Sequence, residues 1–121
     1  MIPKEAEEQT LIFEWAGLAQ GKYPQLALLH AIPNGGSRNK IEALHLKQQG
    51  VKAGVPDIFL PYNNGKHNGL YIELKRMKGG RIREEQSEWI RMLRANGYMA
   101  EVVKGADAAI KLITEYLKGE A

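Results

Sequence analysis

Leu70-Tyr71-Ile72-Glu73-Leu74-Lys75 alternates apolar and polar residues without a break. Successive side chains of a strand point to opposite faces, so Leu70, Ile72 and Leu74 share one face and Tyr71, Glu73 and Lys75 the other. Upstream, Val55 to Pro61 is a second strand-like run, with Ile58 and Leu60 on one face and Asp57 and Phe59 on the opposite one. Asn63-Asn64-Gly65-Lys66-His67-Asn68 separates the two runs, and strand-like runs about such a loop form a β-hairpin. Folding about Gly65 and Lys66 brings Asp57 within one residue of position 74. A one-residue slip exchanges the faces. Because apolar side must meet apolar side, parity sets Asp57 across from Glu73 or Lys75, on their face. Two carboxylates and an ammonium then converge at one end of the hairpin.

The flanking sequence supplies the layers around it. Residues 4–20 form a helix with Leu11, Ile12, Trp15, Leu18 and Ala19 at helical spacing, stopped by Gly21. Leu26 to Ile32 fits a strand ended by the loop Pro33-Asn34-Gly35-Gly36-Ser37. A second helix over residues 39–49 turns Ile41 and Leu44 inward and ends at Gly50. Glu84 to Asn96 is a helix with Trp89, Ile90 and Leu93 on one face, Tyr98 to Val103 a fourth strand, and residues 106–118 a last helix through Ala109, Ile110, Ile113 and Leu117. The order α-β-α-β-β-α-β-α specifies an α/β fold, a mixed four-stranded sheet flanked by helices. No repeat or linker interrupts it, and 121 residues suit a single domain spanning 1–121.

Composition removes several chemistries. The 44% hydrophobic and 26% charged residues are ordinary for a soluble globular protein. Without a long apolar run or a signal-like N-terminus, the chain is expected in the cytoplasm. The absence of cysteine excludes disulfides, thiolate zinc sites and cysteine nucleophiles. His30, His45 and His67 form no ligand pattern; His30, inside an apolar run, is expected as a satisfied interior histidine. Trp15 and Trp89 are core residues by spacing. Any metal must then be held mostly by carboxylate oxygens, which suits magnesium or manganese. The net charge of +3 is mild, but Lys75 to Arg83 carries five basic residues and no acid. That run, through Arg76, Lys78, Arg81 and Arg83, emerges beside the hairpin carboxylates and could bind phosphates. Gly79-Gly80 within it suits a mobile or closely approaching loop. Asn34 to Arg38 could offer backbone N–H groups and a guanidinium to DNA, against the plainer reading of a turn.

A lone Glu-x-Lys is ordinarily a solvated surface pair, and an Asp after Gly-Val-Pro an ordinary turn residue. Their convergence changes the weighing. Two acids together repel and are costly unless a cation lies between them. Phosphodiester cleavage needs an activated water, neutralised phosphoryl oxygens and help for the leaving alkoxide. A divalent ion held by Asp57 and Glu73 supplies the first two, and Lys75 on the same face can orient the water or steady developing charge.

Pro56-Asp57 followed by Glu73-Leu74-Lys75 resembles the signature of the PD-(D/E)XK nucleases. The wider pattern is more specific. Gly54 to Leu60, Tyr71 to Arg76, Glu85-Gln86 ahead of Trp89, and Ile32-Pro33-Asn34-Gly35-Gly36 resemble the VRR-NUC family, its stand-alone phage-type members above all. The resemblance runs from Glu5 to about Leu117 and implies a restriction-endonuclease-like core, Mg2+ or Mn2+, and DNA cleavage in a phage-infected bacterial host. It implies Asp57 and Glu73 as metal ligands, the Leu74 backbone carbonyl as a third, and Lys75 as catalytic base or stabiliser. A first-helix acid of the family corresponds to Glu8, mid-stripe with Leu11, Ile12 and Trp15, or to Glu5, about 60° round the helix; helix-dipole complementarity is the plainer role for either. A family glutamine near the site corresponds to Gln86, on the inward face of its helix. Arg83-Glu84 departs from the pattern by replacing a serine cap. With Asn34, Arg38, Arg76, Lys78, Arg81 and Arg83 as nucleic-acid contacts, the implied activity is a structure-selective endonuclease on branched DNA such as Holliday junctions. Cutting both strands of a symmetric junction implies a homodimer. A sequence-reading or nicking duplex nuclease of restriction type and a non-catalytic nucleic-acid-binding module are the alternatives.

Overall fold

The computed structural model of the chain describes residues 4–33 and 39–121, so Asn34 and Arg38 lie outside the described residues. In chain order its elements are α1 (Glu5–Ala19), a 3-10 turn (Pro24–Leu28), β1 (His30–Ala31), α2 (Lys40–Gln48), β2 (Ile58–Leu60), β3 (Leu70–Lys75), α3 (Glu84–Ala95), β4 (Met99–Lys104) and α4 (Ala106–Leu117). This is the α/β order that the hydrophobic periodicities dictate. The strands lie in the order β1-β2-β3-β4. The first two neighbouring pairs are antiparallel and β3–β4 is parallel, joined by the α3 crossover, so the sheet is mixed.

The period-two pattern of the hairpin decides the layering. Ile58 pairs with Ile72 and Leu60 with Leu70, so the apolar sides coincide. With Leu74 they pack against Ile12 and Ala16 of α1 and Ala109, Ile113 and Tyr116 of α4. On the opposite face α3 lies along β4. There Phe59 and Tyr71 stack at 4.0 Å between ring centroids, with Tyr98 edge-on to Tyr71 at 5.4 Å.

Several expectations are corrected. The strand expected over 26–32 is only two residues long. Pro24 fixes a turn-compatible φ, and Leu26 and Leu29 are buried three residues apart, the period of a 3-10 turn rather than a strand. His30 is exposed, not interior; its Nδ1 lies 2.9 Å from the Leu28 carbonyl and its ring meets Phe59 edge-on. β2 keeps three residues because Pro56 and Pro61 flank it and offer no N–H to a ladder. The inward stripe of α1 is Glu8, Ile12 and Ala16, leaving Leu11 48% and Leu18 89% exposed. α2 buries nothing, and its Ile41 and Leu44 face out. Asn39 starts it by accepting the Ile41 and Glu42 N–H groups. Trp15 and Trp89 are half-buried rather than central. Among the described residues no helix is long and apolar enough to cross a membrane.

The hairpin loop is fastened to α4. Asn64 Oδ1 accepts the Lys66 and His67 N–H groups, and its Nδ2 donates to the carbonyls of Tyr116 and Ala121. The Tyr116 hydroxyl, on a fully buried residue, donates to the Tyr62 carbonyl at 2.7 Å, with the His67 carbonyl 3.2 Å from the same oxygen. Burial pushes this phenol up to about 12, so it remains a donor at ordinary pH. Tyr116→Phe strands these carbonyls without adding volume. It is expected to cost about 1–2 kcal/mol of stability in urea denaturation, with an unchanged m-value.

Candidate active site

The β2–β3 ladder ends at Ile58 and Ile72, and Asp57, the residue just before β2, falls beside Glu73, the next residue of β3. Of the two partners that parity allowed Asp57, Glu73 is the one beside it. The Asp57 carboxylate is held by the backbone beside it, accepting the Leu74 N–H at 2.8 Å. Its own carbonyl accepts the Ile32 N–H, tying the loop to the start of the sheet.

Glu73 and Lys75 lie on the same face of β3 and are both buried, at 2% and 7% exposure. Lys75 Nζ is 3.3 Å from Glu73 Oε2. Gln86, in the first turn of α3, spans the two: its Nε2 donates to Glu73 Oε2 at 3.0 Å and its Oε1 accepts from Lys75 Nζ at 3.2 Å. The same Oε1 accepts the Arg83 N–H at 2.9 Å. Where a serine cap is missing, Gln86 thus satisfies the helix start from within, as the third residue of a capping box does.

Burial and the neighbouring Asp57 push the Glu73 carboxyl from 4.5 to about 7, against the pull of Lys75. Asp57 is also raised by burial, less so because the Leu74 N–H and a hydrogen bond with Glu73 favour its charged form. Glu73 is therefore the acid that keeps a proton between the two. Its Oε1 is buried and has no hydrogen-bond partner. A buried carboxylate oxygen left open beside a second acid is a donor set suited to a hard divalent cation. Among the described residues no three His, Asp or Glu side chains gather into a ready-made cluster. Asp57 and Glu73 converge as a pair.

The two first-helix acids part ways. Glu8 is buried and accepts the Ala106 N–H at the start of α4, so it braces α1 against α4. Glu5 lines a cleft of about 770 Å³ together with Gln9, Phe13 and Asp57, and its charge helps raise the Asp57 carboxyl. Arg76 is half-buried, with a buried Nε that has no hydrogen-bond partner, while Lys78, Arg81 and Arg83 are exposed. Their segment returns to the site. A Cβ added at Gly80 would sit 3.1 Å from Lys75 Cβ, so the loop lies against the lysine stem.

Sequence patterns did not expose one further support. Gly54, at φ +94°, lies so close to α3 that an added Cβ would come 2.7 Å from the Glu85 carbonyl oxygen and 2.9 Å from Trp89 Cδ1. The loop that carries Asp57 thereby docks on the turn that carries Gln86. Its only trace in the sequence is a glycine three residues before the acid, which a turn explains as well.

The VRR-NUC domain profile matches residues 2–107. The chain belongs to the VRR-NUC family. A solved structure of a VRR-NUC domain protein is 34% identical, with a TM-score of 0.81, and the match covers 96% of this chain and 89% of that one. No curated protein matches the sequence. Family and fold together make this VRR-NUC domain a nuclease of the PD-(D/E)XK type, with DNA as the implied substrate.

In this VRR-NUC domain Glu73 holds its proton in the folded chain over a pH range where the unfolded chain has released it. The unfolded state then binds fewer protons, so stability falls as pH rises from about 4.5 to about 7 in metal-free buffer. Glu73→Gln, neutral throughout, is expected to flatten that slope. Urea denaturation of both proteins at the two ends of the window checks this, and equal slopes would refute it.

Proposed function

We propose that this VRR-NUC domain, spanning residues 1–121, is a metal-dependent endonuclease that hydrolyses phosphodiester bonds in branched DNA such as Holliday junctions, acting as a homodimer. The observation that carries the reading is the meeting of the half-buried Asp57 with the buried Glu73 and Lys75, with Glu73 Oε1 left open beside a second acid.

Asp57 and Glu73 are the side chains that would hold Mg2+ or Mn2+, with the Leu74 carbonyl as a backbone ligand. Glu5 is favoured over Glu8 as the first-helix acid because it shares a cleft with Asp57, whereas the Glu8 carboxylate is committed to the Ala106 N–H. When bound, the ion supplies a water of lowered pKa and a Lewis acid for a phosphoryl oxygen. Lys75 orients the attacking water and steadies negative charge on the phosphoryl group, its ammonium aimed by Glu73 and Gln86. Gln86, hydrogen-bonded to both, keeps Glu73 and Lys75 in place while water attacks phosphorus, loses its proton to solvent, and the P–O bond to the leaving oxygen breaks as that oxygen takes up a proton. Burial of Glu73 and Lys75 keeps bulk water from their pairing and strengthens it, while Asp57 faces the cleft. Arg76, Lys78, Arg81 and Arg83 would track phosphates on either side of the cut, with Asn34 and Arg38 as further candidate contacts.

The preference for branched DNA rests on the likeness of the Gly54 to Leu60, Tyr71 to Arg76 and Ile32 to Gly36 segments to the stand-alone phage-type members. Such an enzyme would work in the cytoplasm of the bacterial host.

Purified protein is expected to cut a four-way junction in magnesium and to leave it intact in EDTA. Lys75→Ala is expected to lower cleavage by a factor of about 10²–10⁴ while junction binding and the circular dichroism spectrum persist. Near-normal cutting by that variant would refute the role of Lys75. Sequence-dependent cutting of matched linear duplex would favour a restriction-type enzyme, and binding without cleavage of any substrate would favour a non-catalytic module.

A further inference from the structure

Two helices present apolar side chains that the other described residues leave exposed. On α1, Glu7, Leu11, Glu14 and Leu18 fall at spacings of four, three and four residues and are all exposed. Such spacing lines them up along one side of the helix. Leu18, at 89% exposure, is the most exposed large apolar side chain in the described chain. On α2, Lys40, Leu44 and Lys47 repeat the first two spacings, and the helix borders a groove of about 570 Å³. Leu44, Val51 and two alanines give that groove its apolar lining, Lys40, Lys47 and Lys52 its charge, and among the described residues no acid lines it.

The two surfaces match in period and in sign. Glu-Leu-Glu on α1 and Lys-Leu-Lys on α2 both span eight residues, seven rises or about 10.5 Å of helix, with a leucine at the fifth position. Leu18 continues the first stripe eleven residues from Glu7. Val51, eleven residues from Lys40, lines the groove beyond the second. An acidic-apolar ridge and a basic-apolar groove on one molecule are what a two-fold assembly requires, because each protomer must offer both halves of the contact.

We propose that the Glu7-Leu11-Glu14-Leu18 ridge of one protomer docks in the α2 groove of a second copy of this chain, and reciprocally, so that the interface forms twice about a two-fold axis. Leu18 and Leu11 meet the apolar lining, and Glu7 and Glu14 face Lys40 and Lys47. This specifies the homodimer of the functional reading above and rests on that reading for the expectation that two protomers join. An acidic segment of another protein or a DNA backbone would also meet the lysines. Only a second copy also supplies leucines at the matching period from within the sequence at hand.

Sedimentation of the full chain over a range of concentrations tests it. The wild type is expected at twice the monomer mass, and Leu18→Asp and Leu44→Asp, both at exposed positions, are expected at monomer mass with unchanged circular dichroism. Glu7→Lys and Lys40→Glu should each weaken dimerisation about tenfold, since symmetry repeats the pair, and the double variant should recover most of the loss. A monomeric wild type, a dimer untouched by both leucine substitutions, or a double variant no tighter than its parents would overturn the interface. So would lysine variants that lose junction binding while keeping the dimer mass. A monomeric wild type that still cuts DNA would sink the interface and the homodimer with it, and leave the nuclease reading standing. A dimer that obeys the substitutions but cuts nothing would sink the nuclease reading alone.

Discussion

Two carboxyl groups side by side, one buried and the other half-buried at the edge of a cleft, repel when both are charged. Asp57 and Glu73 stand in that relation, and the surrounding chain is arranged so that the fold tolerates them. The Leu74 N–H takes up one charge, Lys75 and the Gln86 amide take up part of the other, and Glu73 retains its proton into the neutral range. One oxygen, Glu73 Oε1, remains unserved. A protein selected for stability alone would replace such a pair with apolar residues, since buried charge is a poor source of folding free energy. Retaining it makes sense where a cation is to be captured.

The supports reach the pair from three directions. β3 supplies Glu73 and Lys75 at alternate positions, so their common orientation follows from strand geometry. The Gly54 approach presses the Asp57 loop onto α3, and the Gly80 approach presses the basic segment onto the Lys75 stem. In each the glycine backbone meets its neighbour with no side chain of its own in between. Each fixes a distance that a methyl group would enlarge, and that precision matters where reacting groups must be held to fractions of an ångström.

Much of this was legible in the sequence because it rests on short-range periodicity. The alternation of Leu70 to Lys75 and the parity argument gave the side of the sheet on which Asp57 lies, and the element order gave the α/β layering. What could not be read depended on longer-range packing. Leu26 to Ile32 is apolar enough for a strand, but Pro24 and the burial of Leu26 and Leu29 turn most of it into a 3-10 turn. Ile41, Leu44 and Leu18 are apolar at helical spacing, which cannot distinguish the chain's own core from an uncovered face. Helix phase set Glu8 mid-stripe and Glu5 about 60° away without choosing between them, and the position of the α4 start separates them.

Gln86 answers to two masters. It closes the first turn of α3 by accepting the Arg83 N–H, and it aligns Glu73 with Lys75. Helix ends fray far more often than whole domains unfold, with free energies well below the global value. Each fraying of this turn would release the acid and the lysine together, without disturbing the hydrophobic layers beneath. The lifetime of the assembled charge set is therefore governed by the opening of one helical turn. Heat or mild denaturant would silence the chemistry well before the protein loses its shape.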